Sequence, residues 1–431
     1  MGLLERIEAG SAVLAVVGLG YVGLPLAVEM GKAGHRVIGL EVSSEKAELV
    51  NAGVSYIPDV PTAEVADLVE RGLLSATTDF SRVSEADAVA ICVPTPLNET
   101  KEPDVSYMVS AAESIAPHMH PGMLVTLEST TYPGTTEEII QPVLESGGLK
   151  VGTDIFLAFS PERVDPGNPV WQTRNTPKVV GGVTPACTEA AVALYGRYID
   201  TVVPVSSTRA AEMTKLLENT FRGVNIALVN ELLMLCDRMG VDIWEVIDAA
   251  KSKPFGFMPF YPGPGLGGHC IPVDPFYLSW KAKQYDFRTE FIDLSGRINE
   301  NMPYYVANRL MDALNSQRKS LAGSRVLMLG VAYKADIDDM RESPAIRVAE
   351  LLLAKDAELV YCDPYVDRFV ASGMSVPRVD LSAEEVRRAD VVLIITAHSV
   401  FDYDLIARES ALVFDTRNAL KGRKNGNVVV L

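Results

Sequence analysis

The stretch Gly18-Leu19-Gly20-Tyr21-Val22-Gly23 follows a short apolar run, Val13 to Val17, and opens a segment with helical periodicity. A second strand-like run, Arg36 to Leu40, comes next, so the order is strand, helix, strand. Glycines at these positions allow a tight turn, close approach of a pyrophosphate to the backbone, and close packing of helix on strand. Glu41 ends the second strand 18 residues after Gly23, where a carboxylate can bind the ribose hydroxyls of NAD and repel the extra phosphate of NADP. The sequence predicts an NAD site; a plain tight turn, with Glu41 as a surface acid, is the alternative.

The alternation of apolar runs and helical segments continues along the chain. Further strand-like runs lie at 88–93, 123–128, 155–159, 325–329, 358–362, 391–396 and 412–415. Between the two sets of runs, residues 207–240 and 291–316 have helix-length periodicity. This order predicts an α/β protein, with two Rossmann-like doubly wound parallel-sheet domains joined by a central helical segment. We expect domains at 1–205, 206–317 and 318–431.

Composition excludes several classes of protein. A net charge of −17 disfavours binding to nucleic acid or to an anionic membrane surface. The longest apolar runs are strand-sized, and the first residues include acids, so neither a membrane span nor a signal peptide is expected. Five scattered cysteines without Cys-x-x-Cys spacing predict no disulfide framework and no metal site. A cytoplasmic location is the expectation.

A polar stripe is predicted on the first central helix. Lys215, Asn219 and Arg222 recur at i, i+4 and i+7 and therefore share one face. Facing a cleft, such donors could stabilise a developing oxyanion or bind a phosphate. A solvated polar face is the alternative.

A Pro/Gly/aromatic segment from Lys253 to Pro275 is too long for a simple turn. Four glycines within residues 263–268 precede His269 and Cys270, and Asp274 follows four residues later. A cysteine on such a loop does not belong to a core element, so Cys270 is the candidate thiolate nucleophile. His269 adjoins it and is expected to be a contact or structural residue rather than the base. The cysteines that lie in strand or helix runs, and so fit the role of inert buried residues, are Cys92, Cys236 and Cys362.

Over essentially its whole length, the chain resembles the UDP-glucose/GDP-mannose dehydrogenase family. Seven signatures in order carry the resemblance: Gly18 to Gly23, Val93-Pro94-Thr95-Pro96, Glu128-Ser129-Thr130, Ser160-Pro161-Glu162-Arg163, Lys215-x-x-x-Asn219, Gly267-Gly268-His269-Cys270, and Ala332-Tyr333-Lys334 through Arg341-Glu342-Ser343-Pro344. The segment Phe255 to Pro262 most resembles UDP-N-acetylglucosamine 6-dehydrogenases of polysaccharide pathways.

The resemblance implies an NAD-dependent, four-electron oxidation of the C6 hydroxyl of a UDP-sugar to the uronic acid. UDP-N-acetyl-D-glucosamine is the first candidate substrate, and polysaccharide precursor biosynthesis is the implied context. Cys270 matches the nucleophile that traps the C6 aldehyde as a thiohemiacetal, which is then oxidised to a thioester.

The remaining catalytic positions are also implied by the resemblance. Glu162 matches the acid/base of thioester hydrolysis. Lys215 and Asn219 match residues that stabilise oxyanions. Asp274 and Thr130 match residues that organise a water and proton path.

Binding positions follow from the same match. The implied NAD-binding residues are Gly18, Gly20, Tyr21, Val22, Gly23, Glu41, Thr95, Thr130 and Arg341. The implied substrate-binding residues are Arg163, Val164, Lys215, Asn219, Arg222, Pro259, Phe260, Tyr261, Pro262, Gly263, Gly267, Tyr333 and Lys334. The active site is expected in the cleft between domains, and the central helices are expected to form a homodimer or a higher homo-oligomer.

Two departures from the family pattern bear on the substrate. Val273 stands where UDP-glucose dehydrogenases commonly have lysine, and no arginine lies between Lys253 and Asp274. Both favour an N-acetylhexosamine, while UDP-N-acetyl-D-mannosamine and UDP-glucose remain alternatives. A two-electron hydroxy-acid dehydrogenase of the same fold is a more remote one.

Overall fold

The fold is described from a computed structural model, over residues 2–98, 102–165, 167–268, 270–423 and 426–431. The chain divides into two units. The first unit consists of Met1–Glu218 and Phe276–Asp286, and the second of Asn219–Pro275 and Phe287–Leu431. The three domain boundaries drawn from the sequence remain predictions.

An eight-stranded sheet forms the centre of the first unit. Its strands are β1 (Val13–Val17), β2 (Arg36–Leu40), β3 (Leu74–Thr77), β4 (Ala88–Ile91), β5 (Leu124–Leu127), β6 (Phe156–Phe159), β7 (Lys178–Gly182) and β8 (Val202–Val205). Their order across the sheet is β3-β2-β1-β4-β5-β6-β7-β8. Sequence analysis had not predicted β3, β7 and β8, because Ser75, the Gly181-Gly182 pair and Pro204 interrupt their apolar runs.

Neighbouring strands of this sheet are parallel except for β6 and β7, which are antiparallel. The described residues between them, within 160–177, form no helix. A parallel return needs a crossover connection, usually a helix. Here β7 therefore begins at the sheet edge where β6 ends, and one antiparallel pair interrupts the predicted parallel sheet.

Helices cover both faces of this sheet, as the doubly wound prediction requires. They are α1 (Leu3–Glu8), α2 (Gly23–Lys32), α3 (Ser44–Asn51), α4 (Thr62–Glu70), α5 (Ser106–Ile115), α6 (Gln141–Leu144) and α7 (Pro185–Tyr195). Short 3₁₀ or π turns lie at 80–85, 116–118, 136–140 and 145–147. Along β1, Leu14 and Val16 pack into one hydrophobic core, while Ala15 and Val17 pack into another. The strand is thus buried on both faces.

Two long helices dominate the central part of the chain. The helices of this part are α8 (Thr208–Met239), α9 (Ile243–Ala250), α10 (Asp274–Ala282) and α11 (Glu290–Ser316), with a 3₁₀ turn at 283–285. Both predicted central helices are present, and α10 adds a helix that begins inside the segment predicted to be a loop. In the part of the chain that the structure describes, no helix has the length and apolar character of a membrane span.

The C-terminal part of the second unit contains the second parallel sheet that the sequence predicted. Its strands are β9 (Arg325–Leu329), β10 (Glu358–Cys362), β13 (Val391–Ile394), β14 (Val413–Asp415) and β15 (Val428–Val430), ordered β10-β9-β13-β14-β15. A separate antiparallel pair is formed by β11 (Phe369–Ala371) and β12 (Met374–Val376). The associated helices are α12 (Pro344–Leu353), α13 (Ala383–Arg388) and α14 (Tyr403–Glu409). Residues of β9 alternate between two cores, so this sheet is also covered on both faces.

Candidate active site

The glycine-rich loop after β1 adopts a conformation that only glycine fits at two of its positions. Gly18 has φ +85°, and a Cβ there would lie 2.8 Å from the carbonyl oxygen of Cys92. A Cβ on Gly23 would lie 1.8 Å from the carbonyl oxygen of Gly18. At Gly20, by contrast, a Cβ would meet nothing within 4 Å. The loop is thus tightly closed on the protein side and open at Gly20, as a pyrophosphate-binding turn requires.

Glu41 lies directly against this loop, as the sequence predicted for a ribose-binding acid. Its carboxylate accepts hydrogen bonds from the backbone N–H of Leu19 at 3.0 Å and of Ser43 at 3.2 Å. The hydroxyl of Tyr56 donates to the Leu19 carbonyl at 2.8 Å. A carboxylate has about four lone-pair sites, so two accepted bonds leave capacity for ribose hydroxyls. The residues present therefore fit a dinucleotide.

Other predicted NAD-binding positions lie at the same edge of the sheet. Val22 immediately precedes α2, and Tyr21 is exposed. Thr95 follows β4 and Thr130 follows β5, and both are half-buried. The hydroxyl of Tyr277, on α10, donates to the carbonyl oxygen of Thr95. Carboxyl ends of parallel strands form the usual ligand edge of such a sheet.

A buried ionic cluster that the sequence analysis missed lies at this edge. The Lys178 ammonium is 2.6 Å from a carboxylate oxygen of Glu128 and 3.6 Å from one of Glu162. Tyr195 donates its hydroxyl to the other oxygen of Glu128. Glu128 follows β5 and Glu162 follows β6, whereas Lys178 is the first residue of β7. The antiparallel direction of β7 is what brings the lysine to this edge.

Glu162 is held by its own turn. Its Oε1 accepts the backbone N–H of Arg163 at 2.7 Å and of Val164 at 2.8 Å. Burial alone would raise the pKa of Glu162, but Lys178 and these N–H groups hold the pKa below its ordinary value. Lys215, on α8, donates from its ammonium to the Glu162 carbonyl oxygen at 2.6 Å. Two of the predicted catalytic residues, Lys215 and Glu162, are thus in contact, through the backbone carbonyl of Glu162.

Arg163 makes contacts that the resemblance did not anticipate. Its guanidinium binds Glu218 with two N–H groups, at 2.6 and 3.2 Å, and donates a third to the carbonyl of Pro177 at 2.6 Å. A substrate contact by Arg163 would need donors beyond these three. Its assignment as a substrate-binding residue remains a prediction.

In the second unit, Asn219 joins two other predicted site residues. Its side-chain amide donates to the Asp274 carboxylate at 2.5 Å, and Arg222 donates to the amide oxygen of Asn219. Asn219 and Asp274 are both buried. Since α8 is continuous from Thr208 to Met239, the predicted one-face arrangement of Lys215, Asn219 and Arg222 is supported by the helix itself.

Cys270 lies on a turn that leads into α10. Its carbonyl oxygen accepts the backbone N–H of Val273 at 3.2 Å and of Asp274 at 2.8 Å. Cys270 is half-buried, whereas Cys92 and Cys362 are buried as predicted; Cys236 is half-buried, not fully buried. None of the five cysteines, all described, is in a disulfide. His269 lies outside the described residues.

The glycines before Cys270 pack against the segment after β9. A Cβ on Gly267 would lie 2.5 Å from the Tyr333 Cβ, and Gly268, at φ +85°, donates its N–H to the Arg341 carbonyl at 3.0 Å. The structure therefore brings Gly267 into contact with Tyr333. The roles of Gly267, Tyr333 and Lys334 in substrate binding remain predictions. Arg341 binds Asp339 with two N–H groups, at 2.8 and 2.5 Å. Its predicted contact with NAD remains a prediction.

The aromatic segment upstream is anchored on helices of the second unit. Phe260 packs edge-on against Phe221 of α8 at a centroid distance of 5.7 Å, and Tyr261 stacks on Trp244 of α9 at 6.0 Å. Pro259 and Tyr261 are exposed, and Pro262 is buried.

Arg417 is a second residue that sequence analysis missed. It follows β14, and its Nη1 would lie 2.4 Å from a Cβ on Gly263, whose N–H donates to Asn230 at 3.0 Å. Its Nε donates to the Ile395 carbonyl at 2.8 Å, and burial lowers the pKa of the guanidinium to about 10. A cation two residues after a parallel strand, at the ligand edge of a sheet, was a signal available in the sequence.

Among the described residues, no group of three or more His, Cys, Asp or Glu side chains is arranged to hold a metal ion.

Comparisons with known proteins match successive segments along most of the chain. Models of the UDP-glucose/GDP-mannose dehydrogenase family match the NAD binding domain at residues 12–199, the central domain at 209–301 and the UDP binding domain at 327–422. A UDP-N-acetyl-D-mannosamine dehydrogenase from Yersinia pestis is 37% identical, over 90% of this chain and 94% of the relative. A UDP-N-acetyl-D-glucosamine 6-dehydrogenase from Pseudomonas aeruginosa is 39% identical, over 82% of this chain and 83% of the relative. The solved structure of a UDP-D-ManNAc dehydrogenase from Pyrococcus horikoshii has a TM-score of 0.88 and 34% identity, and the match covers 97% of this chain and 98% of that one.

Proposed function

The chain belongs to the UDP-glucose/GDP-mannose dehydrogenase family, and we propose that it oxidises the C6 hydroxyl of a UDP-N-acetylhexosamine to the carboxylate. UDP-N-acetyl-D-glucosamine is the first candidate, in the supply of polysaccharide precursors. The predicted family, the oxidoreductase class and the NAD cofactor are confirmed by the family models and relatives. The particular sugar, the covalent mechanism and the pathway are the proposal.

NAD would be held by the loop from Gly18 to Gly23 and by Glu41, with Thr95 and Thr130 at the neighbouring strand ends. The cofactor would supply the hydride acceptor: two NAD molecules, bound in turn, would each take one of the two hydrides removed when an alcohol becomes an acid. The backbone N–H groups at the start of α2 would bind the pyrophosphate, and the Glu41 carboxylate would accept the ribose hydroxyls. Arg341 is proposed as a further contact.

The observation that carries the covalent part of the proposal is the placement of Cys270. It is half-buried on a hydrogen-bonded turn rather than in a core element, and this turn leads into α10 at the buried Asp274–Asn219 pair. Its thiolate would add to the C6 aldehyde, forming a C–S bond and a thiohemiacetal. After the second oxidation the sulfur is part of a thioester. Water then adds to the carbonyl carbon, the C–S bond breaks, and the thiolate leaves.

Hydrolysis of that thioester needs a base and donors for the oxyanion. Glu162 is proposed as the base, because its Oε1 is fixed by two backbone N–H groups and its Oε2 receives no such bond. Lys215 uses one of its three N–H groups on the Glu162 carbonyl, so two remain for the oxyanion. Asn219, Asp274 and Thr130 are proposed to order the water and its proton path.

The UDP moiety is proposed to bind the second unit at the carboxyl edge of its five-stranded parallel sheet. Arg417, Lys334 and Tyr333 lie in segments that follow strands of this sheet. Of the Arg417 N–H groups, Nε is engaged by a backbone carbonyl, and Nη1 points toward Gly263 of the glycine-rich segment. A guanidinium can bind a diphosphate with two parallel N–H groups. Further substrate contacts are proposed from Arg163, Val164, Arg222, Gly267 and the segment Pro259 to Gly263.

A mannosamine substrate is the second candidate, because two of the relatives above carry that name and cover at least 90% of this chain. Assay of NADH production with UDP-N-acetylglucosamine, UDP-N-acetylmannosamine, UDP-N-acetylgalactosamine and UDP-glucose separates the candidates. We expect the highest kcat/KM for the first. UDP-glucose as the best substrate would contradict the N-acetylhexosamine proposal.

The number of NADH molecules formed per sugar tests the reaction itself. Two per sugar supports the four-electron oxidation, whereas one per sugar would favour the two-electron alternative. Cys270→Ala should abolish acid formation while NAD binding persists. Cys236→Ala is the matched control, since Cys236 is also half-buried in the second unit, and it should stay active. Undiminished acid formation by Cys270→Ala would exclude the covalent route.

A homodimer through α8 is also proposed. Apolar side chains that are more than a third exposed recur along this helix at spacings of three, four or seven residues: Met213, Leu217, Phe221, Leu228, Leu232, Leu235 and Met239. Such spacings place them along one side of the helix. A second copy of the chain would bury the same row by two-fold symmetry. We also propose a cytoplasmic location, because none of the cysteines is in a disulfide.

A further inference from the structure

The Glu128–Lys178–Glu162 cluster contains two carboxylates and one ammonium at the edge of the first sheet. The exposed fractions of the Lys178 and Glu128 side chains are 5% and 0%, and that of Glu162 is 17%. The family resemblance assigned a role to Glu162 alone. Lys178, the buried lysine beside this proposed base, has no role in that resemblance.

We propose that Lys178 is a positioning residue for Glu162, which keeps the Glu162 carboxylate ionised so that it can accept a proton during thioester hydrolysis. This inference rests on the proposed role of Glu162 as the base. Lys178 does not touch the reacting atoms in this scheme; it acts through the carboxylate.

The geometry separates the two oxygens of Glu162. Oε1 accepts two backbone N–H groups, at 2.7 and 2.8 Å. Oε2 is 3.6 Å from the Lys178 ammonium, which is beyond hydrogen-bonding distance. The lysine therefore stabilises the negative charge at Oε2 without occupying its lone pairs. That oxygen can still accept a proton from water.

Charges around the carboxylate determine its ionisation. The titratable or charged groups that face the cluster from the elements packed against it, among the described residues, are Cys92, Glu128, Lys178, Tyr195, Tyr198 and Lys215. Burial raises the pKa of Glu128, whereas Lys178 and backbone N–H groups outweigh burial and lower the pKa of Glu162. Burial opposes the charge on Lys178 too, but both carboxylates raise its pKa. Without Lys178, its attraction would no longer offset the burial of Glu162, and the pKa of Glu162 would rise.

The test is the pH profile of turnover by Lys178→Met, with Lys178→Arg as the conservative variant. Each unit rise in the pKa of the base lowers its ionised fraction about tenfold on the acid side. We expect the acid limb of kcat in Lys178→Met to move up by at least about one pH unit, with activity recovering at high pH. Lys178→Arg should retain the wild-type limb. Lys281→Met is the matched control, because Lys281 is equally buried at 5% in the same unit and pairs with Glu138.

Rapid-quench measurement locates the affected step. Lys178→Met should form two NADH per active site quickly and then stall, with an acyl-enzyme seen by intact mass. A wild-type pH profile in Lys178→Met, or a slow first NADH with no acyl-enzyme, would overturn the inference. A wild-type enzyme that forms one NADH per sugar would instead overturn the proposed function, so the two failures are distinguishable.

A second variant separates positioning from folding. If Lys178 only neutralises Glu128, the double variant Glu128→Gln/Lys178→Met should regain both the wild-type melting temperature and the wild-type acid limb, and the inference would be wrong. If Lys178 acts on Glu162, the double variant should regain stability while its acid limb stays displaced. This comparison also decides the matter where Lys178→Met alone fails to fold.

Discussion

Substitution of Gly20 and of Gly23 by alanine should separate NAD binding from folding, although the two glycines are three residues apart. Gly20 has no positive φ, and a Cβ there meets nothing within 4 Å. Gly20→Ala should therefore change the free energy of unfolding by no more than about 0.5 kcal/mol. At Gly23 the added Cβ would lie 1.8 Å from a backbone carbonyl oxygen, which a side-chain rotation cannot relieve. We expect Gly23→Ala to cost at least about 3 kcal/mol, because the turn itself must move.

The open space at Gly20 is the proposed path of the pyrophosphate, so the methyl group should weaken NAD binding. A hydrogen bond from a backbone N–H to a charged group contributes about 1.5–3 kcal/mol. Loss of one such bond corresponds to an affinity about 10- to 150-fold lower. Calorimetric titration with NAD measures this loss, and thermal unfolding of the cofactor-free protein measures stability.

The expected pattern is a Gly20→Ala protein with a wild-type melting temperature and weak NAD binding. Gly23→Ala should melt several degrees lower, at about 2–4 °C per kcal/mol. Wild-type NAD affinity in Gly20→Ala would refute the placement of the pyrophosphate over this residue. If Gly20→Ala melted at a temperature as low as that of Gly23→Ala, the conclusion that a methyl group fits at Gly20 without strain would be wrong.

Three further outcomes are expected. In steady-state kinetics, Arg417→Ala should raise KM for the UDP-sugar about 10- to 150-fold with a smaller change in kcat. Arg417→Lys should recover part of this loss. An unchanged KM in Arg417→Ala would exclude Arg417 from the UDP site. Asp363→Asn should cost about 3 kcal/mol at neutral pH, since Asp363 is buried against His398 and accepts four backbone N–H groups. Burial raises the pKa of Asp363, but His398 and the N–H groups outweigh burial and hold this pKa below its unfolded value. The stabilisation by ionised Asp363 is therefore present above about pH 4 and is lost as the pH falls through the folded pKa. A difference in melting temperature between wild type and Asp363→Asn that persists at low pH would contradict this. Leu228→Glu, at a 52% exposed position on α8, should convert a dimer to monomers in light scattering, and a dimer that survives would move the interface elsewhere.

The sequence predicted the features whose determinants are close together in the chain. The loop from Gly18 to Gly23 and the acid Glu41 belong to one strand–helix–strand unit, so spacing alone placed them. Cys270 stood out as a candidate nucleophile because a glycine-rich segment is not a core element, and its half-buried position on a turn agrees with this. Arg417 was missed although it lies two residues after a strand, because the run Leu412 to Asp415 indicated only the strand itself.

Lys178 could not be predicted in the same way, because its position depends on the direction of a strand. Four prolines lie within residues 161–177, and proline disfavours a helix interior by removing a donor and clashing with the preceding turn. A crossover helix between β6 and β7 is therefore unfavourable in this segment. Without it the chain returns at the edge where β6 ends, and the first residue of β7 faces the carboxylates that follow β5 and β6. Had a helix formed there, β7 would run parallel to β6, and its first residue would lie at the opposite edge of the sheet. The prolines that interrupt the strand–helix alternation therefore also place the Lys178 ammonium beside Glu162.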